Sequence, residues 1–275
     1  MTLSDNQKTA IAAFLQTTAH VDCETTTTDE TAEIIEIAVS IRSANGEINT
    51  FESLFKPTNP IRPETSGVNN ISNAMVGNAV SFADSAQFLG LVLGMTGYYV
   101  AHNAEFDLRV IATNIERTGI DVKPLQKDRT LCSMRLARHL LVPLDNPELR
   151  FNQQYLRYFF DLTEVDGQAP HRAGADTKVN LVLFGRIVEL LVASGKIDAA
   201  GDIGKQLHDL CWSPIPVIRW PHRGKHQGTL LTEIPTDYFE WALRELDRLK
   251  EGSVDFDNDL AIAVTNVLGA RLGMS

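Results

Sequence analysis

Three short stretches near the N-terminus carry the branched, aromatic and threonine-rich texture of strands: Thr17 to Thr25, Glu33 to Arg42 and Thr50 to Lys56. A polar Thr-rich loop divides the first two, and Ala44-Asn45-Gly46, a hairpin signal, divides the last two, so the pattern predicts three consecutive antiparallel strands. Ahead of them, Ser4 and Gln7 have the spacing of a capping box for a short helix reaching about Gln16. Beyond the Pro-rich turn at Pro57 to Pro63 the rhythm becomes alternating. A helix is expected across Ser72 to Leu93, a strand at Tyr98 to His102, and a helix from Glu105 to Thr118 closed by Gly119. A strand at Arg129 to Cys132 follows, then helices near Met134 to Leu141, Asn152 to Phe160 and Asp176 to Ala193. A meander followed by this alternation predicts an α/β fold with a mixed sheet covered by helices.

After Gly195 the texture shifts. Lys196 to Asp209 reads as a connecting helix, and Ser213 to Pro221 carries three prolines. Arg219, His222, Arg223, Lys225 and His226 then follow one another with no acid among them, and Thr236-Asp237-Tyr238 caps an amphipathic helix from Tyr238 to Leu249. The expected divisions are an N-terminal helix over 1–17, a main domain over 18–195, a connecting helix over 196–212 and a small module over 213–275.

Composition changes this picture in two ways. With 44% hydrophobic and 22% charged residues, the 275-residue chain can bury a full core, which excludes a disordered tail or fibrous repeat. Its 25 basic and 35 acidic residues give a net charge of −10, which excludes a uniformly basic surface for gripping nucleic acid or lipid. The acidity is local, however: no Lys or Arg stands between Lys8 and Arg42. Cys23, Cys132 and Cys211 have neither zinc spacing nor a disulfide framework, so a reducing cytoplasm is the expected compartment. The first residues lack the look of a signal peptide. The most apolar run, Phe88 to Val100, falls short of the roughly 20 residues that span a bilayer.

Three elements carry candidate chemistry. Asp22 and Glu24 end the first predicted strand and share one of its faces, with Cys23 on the other. Such a pair is either a solvated loop edge or a site that needs a cation. Asn103 and Asp107 stand four apart at the start of a helix that a strand feeds, where Asp107 could equally complement the helix dipole. Asp176 opens a later helix, with His171 five residues before it; an imidazole beside carboxylates suits general-base chemistry near neutral pH. Four acids converging on one sheet edge suit hard cations such as Mg²⁺ or Mn²⁺.

Val21-Asp22-Cys23-Glu24-Thr25-Thr26, Glu33-Ile34-Ile35-Glu36-Ile37-Ala38, Ala101-His102-Asn103 through Phe106-Asp107 and His171-Arg172-Ala173 through Asp176 together resemble the three motifs of the DEDDh 3′-to-5′ exonucleases. The resemblance runs from about Thr18 to Ala193. The exonuclease X branch is similar also at Phe55-Lys56-Pro57, at Cys132 through Arg138 and in the Gly224-Lys225-His226-Gln227-Gly228 tail. This likeness implies a ribonuclease-H-like mixed five-stranded sheet with a small C-terminal hairpin-helix module. It further implies a two-metal site of Mg²⁺ or Mn²⁺ held by Asp22, Glu24, Asp107 and Asp176, with His171 as general base.

The implied substrate contacts are Thr25 and Thr26 beside the acids, Asn69 in a helix running from Val68 that wedges the last bases apart, His102 and Asn103, and Lys225 in the tail. The chain departs from the family at Asn69, where His or a larger residue is usual, and at Thr27, where Gly is frequent. Arg223 likewise stands where an aromatic is common. The implied partner is nucleic acid with a free 3′ end, DNA being favoured over RNA. An exoribonuclease of the oligoribonuclease or RNase T type shares all five catalytic positions. A catalytically silent binding adaptor is a third reading, against which stands the absence of any structural use for four like charges at one point.

Overall fold

The computed structural model describes residues 2–146, 148–168, 170–221, 225–250 and 258–273. Two compact units emerge, one formed by Met1–Leu136 with Arg150–Cys211, the other by Ala137–Leu149 with Trp212–Ser275.

The first unit is built on a sheet of β1 (Thr18–Thr25), β2 (Ile34–Arg42), β3 (Ile48–Leu54), β4 (Tyr98–Ala101) and β5 (Thr130–Cys132), in the order β3-β2-β1-β4-β5. β1, β2 and β3 pair antiparallel, whereas β4 and β5 add in parallel to β1. Gly46, at φ +89°, makes the β2–β3 turn that the sequence signals. Ile34, Ile35, Ile37 and Val39 of β2 are fully buried; burying an Ile or Val completely stabilises a fold by about 1.5–3 kcal/mol. Helix α8 (Ala173–Ala193) lies along this sheet and buries Val179, Leu183, Phe184 and Ile187. The capping box of Ser4 and Gln7 opens α1 (Asp5–Leu15), and Gly119 in the left-handed region closes α5 (Ala104–Thr118).

After α2 (Pro63–Asn69), the helix expected across Ser72 to Leu93 is instead two: α3 (Asn73–Val76) and α4 (Ala86–Leu93). Local side-chain bonds win over the helical ladder here. Ser72 caps α3, the Ser81 hydroxyl donates to Asp84 Oδ2 at 2.6 Å, and Ser85 Oγ donates to the Phe82 carbonyl at 2.6 Å. Helix α8 begins three residues before Asp176. The connecting helix shortens to α9 (Ile203–Trp212), because Gly195 takes a left-handed conformation and the residues after it form turns. Helices α6 (Ser133–Leu141) and α7 (Gln153–Phe159) lie near their expected places.

The second unit has its own core of Trp220, Leu231, Ile234, Phe239, Leu260 and Val264. A hairpin-like pairing brings Trp220 N to the Thr229 carbonyl at 2.9 Å and Leu231 N to the Ile218 carbonyl at 2.8 Å. Helix α10 (Thr236–Lys250) matches the amphipathic pattern, while α11 (Asn258–Arg271) was not legible in it. Its near-even apolar residues give no periodic stripe. His222, Arg223 and Gly224 lie outside the described residues.

Candidate active site

β1 pairs with β4 through Thr18, Ala19 and His20 and with β2 as far as Thr25, so its last residues run beyond the end of β4. That is the place where the strand order changes direction, and where α/β sheets leave a crevice. The β1–β2 register slips between Glu24 and Thr25, an irregularity of the kind that re-aims side chains beside functional sites. Asp22 and Glu24 meet Asp176 from the first turn of α8: one carboxylate oxygen from each lies within 4.8 Å of the other two. All three side chains are half-buried.

Crowding and burial set their protonation. Burial, then the charges of Asp107, Glu24, Asp176 and Glu36, hold the Asp22 carboxyl well above the usual carboxylate range. Burial and the same neighbours push Glu24 up to about 8, against a smaller opposing pull from the Arg172 guanidinium. Asp176 is raised by burial, which outweighs the backbone amide of His171 donating to its Oδ2 at 2.8 Å. His171 has φ +59°, and its exposed side chain stands in the approach to α8.

Asp107 lies outside the trio. It is almost wholly buried in the first turn of α5, where burial lifts it to about 8 while the Cys23 thiol donates a hydrogen bond to it. Its Oδ1 has no hydrogen-bond partner among the described residues. An all-oxygen donor set, three carboxylates pressed together and a fourth with an orphaned buried oxygen form an arrangement that a divalent hard cation satisfies and water-free burial does not. The residues present therefore fit the metal that the fold implies.

The other candidate positions divide. Thr25, Thr26 and Asn69 line a cleft of about 510 Å³ beside Glu24, together with Arg62, Val68 and Phe106. Thr25 Oγ1 donates to the Thr27 carbonyl at 2.6 Å, and Thr26 Oγ1 accepts from Glu33 N at 3.0 Å, so the turn is internally braced. Asn69 is buried and accepts from Ile71 N at 3.0 Å. It ends α2 rather than leading a helix through Ile71, because Asn70 adopts the left-handed conformation. His102 is engaged at both ring nitrogens, with Ser133 Oγ at 2.9 Å and the Phe151 carbonyl at 2.8 Å. Asn103 occupies the cap of α5 with φ +71° and makes no side-chain cap bond: it supplies a turn, not the acceptor its residue type suggests. Lys225 is exposed in the second unit.

Residue-type reasoning missed a set of supports. Arg109 and Arg117 donate to the carbonyls of Thr28, Asp29, Glu30, Thr31 and Ala32, tying the acidic loop after β1 to α5. Asn114 accepts from Ile34 N at 3.2 Å and donates to the Ala32 carbonyl at 2.9 Å. Gln153 Nε2 donates to the Asp176 carbonyl at 2.7 Å. The run of basic residues at helical spacing opposite an acid-rich loop is the signal that could have found the first of these.

A mixed five-stranded sheet flanked by helices, with carboxylates gathered at the end of its first strand, defines the nuclease class of ribonuclease-H-like folds. The exonuclease family of the RNase T type matches residues 20–184. The chain therefore belongs to the DEDDh-type 3′-to-5′ exonuclease family and is a nuclease hydrolase. It is 26% identical over 227 residues to exodeoxyribonuclease 10 of Escherichia coli K12, covering 78% of this chain and 86% of that one. A PolC-type DNA polymerase III of Caldanaerobacter subterraneus is 32% identical over 165 residues, 59% of this chain and 11% of the polymerase. Among solved structures, exonuclease X in complex with 5′ overhanging duplex DNA superposes with a TM-score of 0.51 at 26% identity, over 70% of this chain and 99% of that one.

Proposed function

We propose that this protein is a metal-dependent 3′-to-5′ exodeoxyribonuclease, acting on single-stranded and duplex DNA. The observation that carries the reading is the gathering of Asp22, Glu24 and Asp176 oxygens within 4.8 Å, with buried Asp107 near enough for its charge to raise Asp22. Asp22, Glu24 and Asp176 would hold one Mg²⁺ or Mn²⁺ ion, and Asp22 with Asp107 a second. Such ions, when bound, lower the pKa of a water and stabilise charge on attacking and leaving oxygens in phosphodiester hydrolysis.

The chain's own groups supply the rest. His171, exposed on a left-handed turn whose amide is fixed to Asp176, takes the proton of the attacking water on its imidazole. Thr25 and Thr26, in a braced turn on the cleft beside Glu24, would border the terminal nucleotide, with Asn69 on the same wall. His102 and Asn103 would act at one remove, by shaping the turn into α5. In the tail module, exposed Lys225 offers a charge to the phosphate backbone. DNA is favoured because the likeness to exodeoxyribonuclease 10 covers most of both chains, and because exonuclease X, at the same identity, was solved on duplex DNA.

Among the described residues no helix is long and apolar enough to cross a membrane, and all three cysteines are free thiols; a cytoplasmic setting accords with both. The test is incubation of end-labelled single- and double-stranded DNA and RNA with Mg²⁺ or Mn²⁺, with Asp22→Ala as control. Shortening of DNA from its 3′ end, lost in the control, is expected. RNA degraded in preference to DNA would move the assignment to an exoribonuclease, and no metal-dependent shortening of any substrate would overturn it.

A further inference from the structure

Glu36 is a charged residue within the sheet, 1% exposed, on a strand whose other buried residues are Ile, Ala, Val and Ser40. A carboxylate is costly there unless it is paired and hydrogen-bonded. It is both. Arg172 grips it in two-pronged fashion, Nη2 to Oε1 at 2.6 Å and Nε to Oε2 at 3.1 Å, and the backbone amide of Ala173 donates to Oε2 at 2.9 Å. Arg172 is the N-cap residue of α8, yet its own side chain makes no capping bond to that helix. The cap comes instead from the neighbouring strand, and a negative charge at a helix N-terminus is stabilising.

The consequence reaches the acids by short covalent paths. The Arg172 carbonyl accepts the amides of Ala175 and Asp176, each at 2.9 Å, and Asp176 Oδ2 accepts the amide of His171. Fixing Arg172 therefore fixes the residues on both sides of it. On β2, Glu36 stands directly opposite Glu24 of β1 in the strand register. A second tie lies one turn along α8, where Ser40 Oγ is 2.8 Å from both Thr177 Oγ1 and Thr50 Oγ1.

We infer that Glu36 is a positioning residue: through Arg172 and the first amide of α8 it sets where Asp176 and His171 stand relative to Asp22 and Glu24. The placement of Asp176 beside the β1 acids thus depends on a strand-to-helix clamp whose members do not themselves touch substrate. This rests on the reading of the acid trio as a metal site, but the clamp makes a claim about the metal-free protein too.

The test uses the full chain with Glu36→Gln, which keeps the shape and one acceptor but loses the charged grip, and Arg172→Lys, which keeps the charge but loses the fork. In metal-free protein, hydrogen exchange at the amides of residues 173–177 should quicken tenfold or more in Glu36→Gln while β1 and β2 stay protected. Mn²⁺ binding followed by calorimetry should weaken by roughly 10–100-fold, as for other groups that orient ligands from behind. The turnover rate should fall with KM little changed, and Arg172→Lys should lie between the variant and the wild type. Wild-type protection at 173–177 together with wild-type Mn²⁺ affinity would overturn the inference. Should Glu36→Gln fail to fold, Arg172→Lys at its partly exposed position decides the same question. A wild-type chain that binds no Mn²⁺ and cleaves nothing would sink the nuclease mechanism, while the exchange result would still decide the clamp.

Discussion

The two halves of β1 present the same face and opposite chemistry. Upstream, Thr18 and His20 are fully enclosed: Thr18 Oγ1 donates to the Leu15 carbonyl at 2.8 Å and lies 3.3 Å from His20 Nε2, and the imidazole meets the Phe184 ring edge-on at 5.5 Å. Burial, aided by the charge of Arg42, lowers His20 to about 3, so it is a neutral core residue. Downstream, Asp22 and Glu24 feel the same push toward neutrality, yet they face further carboxylates instead of an aromatic ring. A buried polar group alone is ordinary. What marks the downstream half is that its neighbours repeat the same charge, an arrangement that becomes favourable once a cation enters.

The sharpest way to break this comparison is Asp22→Asn. Hydrolysis should be abolished while binding of an oligonucleotide persists, measured as turnover and as fluorescence anisotropy; undiminished turnover would sink the assignment. Asp107→Asn should cost nearly as much, since it removes a carboxylate from the second proposed metal position. His171→Ala should lower the rate by about 10²–10⁴-fold, the usual contribution of a positioned base, and flatten the rise of rate with pH. A variant that keeps the wild-type pH profile would take the base away from His171.

Sequence reading reached the acids because strand alternation and helix starts are local. Asp22 and Glu24 share a face by the two-residue period of a strand, and the meander followed by alternation leads to a mixed sheet, whose strand order the structure supplies. Other features depend on non-local pairing. Glu36 reads as one polar residue in an apolar strand until Arg172, 136 residues away, is seen upon it. The separation of Asp107 from the trio follows from its place beside Cys23, which motif spacing does not encode. The helix expected at Ser72 to Leu93 failed for the opposite reason: its serines make local bonds that a hydrophobic pattern does not register.

Metal-free stability gives a finer test. Glu24 is lifted from an ordinary 4.5 to about 8, so between these values the folded chain holds a proton that the unfolded chain has released. Stability contributed by this group should therefore fall as pH rises from about 4.5 to about 8, at up to about 1.4 kcal/mol per pH unit for one full proton. Mn²⁺ should reverse the loss, raising the melting temperature more at pH 8 than at pH 5. Glu24→Gln should melt higher than the wild type at pH 8 without metal. Equal melting temperatures at pH 5 and pH 8 for the metal-free wild type would mean that the acids are not crowded in solution.

The effect in the upstream half has the opposite sign and leaves turnover untouched. His20 is lowered from 6.5 to about 3, so between those values the unfolded chain binds a proton that the folded chain refuses. Its contribution is fully present above pH 6.5 and is lost as the pH falls toward 3. His20→Leu should fold, and its urea stability should decline less steeply than the wild type's between pH 6.5 and 4.5, by up to about 1.4 kcal/mol per pH unit. The replacement leaves Asp22 and its neighbours in place, so metal-dependent turnover at pH 8 should change little. An unchanged acid slope would show that His20 is not held neutral by burial, and the contrast between the two halves of β1 would then rest on the acids alone.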